Sequence, residues 1–285
     1  MNGIITIAHL TLHEVRGRRV ALAALILGVA FLAIFAIGFN YIYSDVTGAT
    51  SPTSPTSPIP RIQYDIALNF IVMAGLYAVN FLIVMMAVLT PIDTLSGDIR
   101  SGSIQTLVTK PIRRVEIVLG KWLAFWVILG VYLILMAGGV LLIVRVIANY
   151  TLPNAAQGMF FIFLEGTVLM TLSILGGTRL STLANGVTVL GLFGLAFIGG
   201  WLEQIGAYNG NPTAQNFGIV ASLFVPTEAL WRLSAYYMQP PLVRDVPLTP
   251  FSIVSVPSVW MVAWAALYIV AALLIAVRLF NTRDL

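Results

Sequence analysis

Long apolar runs separated by short polar segments set the pattern of this chain. Six runs reach the roughly 20 residues that a helix needs to cross bilayer hydrocarbon. They cover residues 20–43, 66–89, 122–144, 155–178, 183–202 and 256–277. Five hold no charged residue, and the fourth holds only Glu165. Hydrocarbon leaves no backbone donor a water partner, so each run is expected to be a helix. A β-barrel would need short alternating segments, and residues 22–36 do not alternate. The first run is too long for a cleavable signal peptide, and no small-residue cleavage site follows closely. The expectation is one all-α membrane domain spanning residues 1–285.

The polar segments predict further elements. Ile4, Ile5, Ala8, Leu12 and Val15 form a stripe on a helix ending near Gly17. That amphipathic N-terminal helix is expected to rest on the cytoplasmic leaflet, with Arg16, Arg18 and Arg19 near anionic lipid. The tract Ser51-Pro-Thr-Ser-Pro-Thr-Ser-Pro58 favours an extended polyproline strut. Between spans five and six, Gly218–Val225 is apolar but too short to span. Pro226–Met238 then reads as a helix of about three turns, started by proline and stopped by Pro240-Pro241. This outer re-entrant or interfacial segment is expected to place Trp231 and Tyr236 at headgroup level, or to plug the space between spans five and six. Glu228 and Arg232 sit at i,i+4 on it.

Composition closes off a soluble fold: 59% of residues are hydrophobic and 9% charged, against about 25% charged in soluble domains. The charges matter by position. With the N-terminus inside, Arg16, Arg18, Arg19, Arg100, Lys110, Arg113, Arg114, Lys121, Arg179, Arg278 and Arg283 fall on the inner side. Only Arg61, Arg145, Arg232 and Arg244 fall outside. Basic residues collect on the cytoplasmic face, so both termini are expected there.

Candidate chemistry is sparse. No cysteine is present, no serine lies in a Gly-x-Ser-x-Gly turn, and Gly120-Lys121 lacks the rest of a phosphate loop. His9 and His13 have ligand spacing, but no third ligand is in reach, so no metal is expected. Catalysis and a cofactor bound by this chain are therefore not expected. Glu165 inside the fourth span needs a partner or a wet cavity. Arg145, near the end of the preceding span, is the expected partner; a place on a substrate or proton path is the alternative. Asn69, Asn80, Thr167, Thr171 and Ser173 read as polar glue between spans.

The most informative loop joins spans two and three. Gly102 breaks the chain, Ser103 suits an N-cap, and Ile104, Leu107 and Val108 share one face of a short helix that Pro111 stops. The pattern Asp98, Gly102-Ser103, Leu107, Pro111, Arg113 or Arg114, and Ile117-Val-Leu-Gly-Lys121 resembles the corresponding loop of ABC-2 transporter permeases. Asp98 stands where Glu is usual there, and Ser103 where Thr is usual. The resemblance implies a cytoplasmic coupling helix contacting an ABC ATPase through Asp98, Arg100, Gly102, Ser103, Ile104, Leu107, Val108, Pro111 and Arg113. It also implies a second permease chain, ATP and Mg bound on the partner ATPase, and residence in the cell membrane, with no nucleic-acid partner. Val225-Pro-Thr-Glu-Ala-Leu-Trp-Arg-Leu233 further resembles a stretch of the permeases serving nitrous-oxide reductase maturation. A non-transporting scaffold, and less readily a membrane enzyme, are the competing readings.

Overall fold

The computed structural model describes residues 3–17, 19–48, 61–100, 113–244 and 253–282. Every regular element among them is a helix. In chain order they are α1 (Gly3–Arg16), α2 (Arg19–Gly48), α3 (Arg61–Leu89), α4 (Thr94–Arg100), α5 (Arg114–Ala148), α6 (Ala155–Gly177), α7 (Thr182–Tyr208), α8 (Pro212–Phe224), α9 (Thr227–Met238), α10 (Pro241–Arg244) and α11 (Trp260–Asn281). Among the described residues, six helices are long and apolar enough to cross a membrane: α2, α3, α5, α6, α7 and α11. The tract at Ser51–Pro58 lies outside the described residues.

Local chemistry explains the helix ends. At the start of α5 the Arg113 N–H donates to Glu116 Oε2 at 3.0 Å, satisfying an end donor that the helix cannot. At its far end Asn149 takes a left-handed φ of 50° and its N–H closes on Arg145 O at 3.1 Å. Asparagine tolerates that conformation better than most residues. Asn211 caps α8 by accepting from Thr213 N and Ala214 N at 3.1 and 3.2 Å, with Pro212 in the first turn.

The spanning helices mostly run beyond the apolar runs, and two of the differences have a clear local cause. The last begins at Trp260 rather than 256, because Pro257 disfavours helix at the residue before it and Ser258 Oγ accepts from Trp260 N. The fifth continues past Leu202 to Tyr208, because its next polar residues find partners. Gln204 Oε1 accepts from Val254 N and Ser255 N at 2.9 and 3.1 Å, and its amide donates to Ser255 O at 3.1 Å.

α6 is the hub, packing against α3, α5, α7, α9 and α11. Its cross-helix bonds include Trp122 Nε1 to Thr171 Oγ1 at 2.9 Å and Ser173 Oγ to Val88 O at 2.9 Å. α2 lies at the periphery and touches α5 where glycine allows close approach: Gly28 faces Met136 and Tyr132, and Gly139 faces Leu32.

One expectation about a face is corrected. α1 packs on α5, but through Ile7, Ala8, Thr11 and Val15, while Ile5 is 59% exposed. Thr11 can sit on the buried face because its hydroxyl donates to Ile7 O at 2.9 Å. Along α9, residues 227–235 are all buried. It packs mainly on α6, and Trp231 lies against Tyr77 of α3 with ring centroids 5.3 Å apart.

Candidate coupling site

One end of the bundle gathers both described termini and the elbow between α3 and α5. Gly3, the first residue of α1, lies against the Glu116 carboxylate; an anion at a helix N-terminus is favourable. Arg114 Nη1 donates to Asn281 O at 3.1 Å, and Arg179 Nη2 to Thr282 Oγ1 at 3.1 Å. Two arginines therefore meet the open C-terminal end of α11, where positive charge is stabilising.

The elbow is fastened from three sides. Lys121 is buried, and its Nζ donates to Thr94 O at 2.8 Å and Thr94 Oγ1 at 3.3 Å. Thr182 at the start of α7 donates to Asp93 Oδ1 at 2.5 Å and lies 3.2 Å from Ser96 Oγ. Asn185 Nδ2 donates to Ile92 O at 3.3 Å and to Ser173 O at 2.8 Å. A buried ammonium is costly unless it is bonded, so Lys121 commits α5 to the first residue of α4. Its neighbour Gly120 leaves room for Ile4 O and Ile7 of α1. The adjacent pair Gly120-Lys121 thus joins the N-terminal helix and the elbow to one turn of α5.

Sequence reasoning singled out Gly120-Lys121 but missed α4 and its clamp. Asp98 and Arg100 lie in the last turn of α4, and Arg113 immediately precedes α5. Gly102, Ser103, Ile104, Leu107, Val108 and Pro111, with the expected helix on which they sit, lie outside the described residues. A family model for ABC-2 family transporter proteins matches residues 8–285. The chain belongs to the ABC-2 transporter family. It is thus a membrane component of an ABC transporter, in a family that works with ABC ATPases. No curated protein matches it.

A second polar cluster fills the other end of this ABC-2 family chain. Arg232 Nη2 donates to Glu203 Oε2 at 2.7 Å, both side chains being buried. Ser255 Oγ donates to Glu203 Oε1 at 2.7 Å, and Arg232 also reaches Ser255 O at 3.3 Å and Ser222 Oγ at 3.5 Å. This cluster ties α7, α8 and α9 to the segment before α11. The stretch Val225–Leu233 supplies Arg232 and Glu228 to it. Gly200 of α7 accommodates the Glu228 side chain.

Glu228 makes stability depend on pH. Burial pushes its carboxyl from 4.5 up to about 8, with Arg232 pulling it down and Glu203 adding to the rise. The folded value lies above the unfolded one. Its stabilising contribution is therefore full in acid, below the unfolded value, and is lost as pH rises through about 8. Between those limits wild-type protein should lose melting temperature relative to Glu228→Gln. Parallel melting curves for the two across that window would show that Glu228 contributes no such term.

The expected Glu165–Arg145 pair is not formed. Glu165 is fully buried in α6, and its Oε1 accepts from Asn80 Nδ2 of α3 at 3.3 Å. Arg145 is exposed near the far end of α5. Asn80 carries the cross-helix role expected of it, with the carboxylate as its partner.

Proposed function

We propose that this chain forms the translocation pathway of an ABC transporter as one of two permease chains, each coupled to a separate ABC ATPase subunit. The observation that carries the reading is the clamped elbow: Lys121, Thr182 and Asn185 bind residues 92–94 to α5, α6 and α7. A push delivered to residues 98–113 therefore reaches several spans at once, as a rigid-body movement needs. ATP and Mg bind on the ATPase, and this chain contributes no catalytic residue. The elbow and both termini face the cytoplasm of the cell membrane, following the excess of Lys and Arg at that end.

Purification from membranes also holding the cognate ABC ATPase tests this reading. The two should co-purify, with hydrolysis that depends on this chain and responds to cargo. Single cysteines replacing Ser51 and Lys110 should label from opposite sides of the membrane. Labelling of both from one side, or an ATPase indifferent to this chain, would favour the scaffold reading.

A further inference from the structure

The contact between α3 and α6 leaves two oxygens without hydrogen-bond partners: Glu165 Oε2 and Asn80 Oδ1. Both side chains are buried, Glu165 at 0% exposure and Asn80 at 5%. They already share one bond, Asn80 Nδ2 to Glu165 Oε1. A carboxylate is acceptor-only, whereas a carboxamide offers a donor and an acceptor. With Glu165 ionised, two buried acceptors go unmet on one pair of residues, each at a desolvation cost. One proton on Glu165 Oε2 changes that balance, because its O–H can donate to Asn80 Oδ1 while the existing bond is kept.

Nearby charge gives an ionised Glu165 no support. Among the described residues, Glu228 on α9 and Tyr77 on α3 interact with it electrostatically, and neither is a cation. Arg232 on α9 is bonded to Glu203 of α7. Leu129 of α5 and Ile83 of α3 pack against the neighbouring Gly166. We infer that Glu165 is a buried proton-binding site, holding its proton in a two-bond acid–amide pair with Asn80 that joins α3 to α6. The proton comes from water onto Oε2 and returns to water when the two helices part and the carboxyl is hydrated. Separation of α3 from α6 is thereby linked to proton release. This goes beyond the coupling role proposed above and does not depend on any ATPase.

Infrared spectra of the purified full chain in lipid nanodiscs in D2O test the inference. At neutral pH a Glu228→Gln background, which removes the other buried carboxyl expected to hold a proton, should still show a protonated-carboxyl stretching band, and adding Glu165→Gln should remove it. Glu165→Gln should fold and melt close to wild type, because the glutamine amide donates where the proton did. Asn80→Leu should keep the band but shift it, the acid having lost its amide partner. Absence of a Glu165-dependent band would mean an ionised carboxylate served by water or a metal cation, and would overturn the inference. So would a band that Asn80→Leu leaves unshifted, or failure of Glu165→Gln to fold.

Discussion

Arg232→Leu is expected to destabilise the protein by about 3–5 kcal/mol, the usual cost of leaving a buried charge without its partner. Glu203 would keep only the Ser255 hydroxyl. Glu228, whose rise Arg232 restrains, would be pushed further toward its neutral form. Glu203 is thus the buried charge stranded by the change. Glu203→Gln should cost less, because Arg232 would still face Glu228 and keep its bond to Ser255 O. The double variant Arg232→Leu/Glu203→Gln should recover part of the loss, since the stranded carboxylate is gone. Melting temperatures in nanodiscs read all three. Equal losses for the two single variants, with no recovery in the double, would mean that the pair is not the source of the effect.

The six spans were legible because uninterrupted apolar runs have few other fates. What depends on rotation about a helix axis was not. Glu165 and Arg145 are adjacent in a hairpin and similar in depth, but depth does not say which way a side chain points. Its partner Asn80 comes from a helix 85 residues away. The α1 stripe was misread by about one residue for a related reason. Thr11 counts as polar in any pattern, yet its hydroxyl is satisfied within its own turn and it packs inward. Pro226–Met238 left two readings open, an interfacial helix or a plug between spans five and six. Glu203, Ser222 and Ser255 meet Arg232 inside the protein, and no local pattern shows where those three converge.

The elbow was legible in part. Its motif placed Gly120-Lys121 at the entry to the third span, and the structure gives those residues a physical task in holding α1 and α4. The short helix α4 left no such signal. Its seven residues include a serine, a glycine and an aspartate, poor helix formers that hold here through bonds to α5 and α7.

The largest functional effect is expected from Leu107→Asp. By their spacing Ile104, Leu107 and Val108 are expected to share the apolar face of the proposed coupling helix, with Arg100 and Lys110 flanking them in sequence. An aspartate at the centre of that face would place an unpaired charge in a protein interface, at a cost on the order of several kcal/mol. Arg100→Ala or Lys110→Ala should do less, since rim charges contribute little. Position 107 falls outside the six apolar runs, so insertion and folding should be unaffected. The deciding measurement is ATP hydrolysis by the cognate ATPase, co-purified and reconstituted with this chain. The coupling account predicts normal membrane insertion of Leu107→Asp, with loss of co-purification and of chain-dependent hydrolysis. Normal association with full, cargo-responsive hydrolysis in that variant would contradict it.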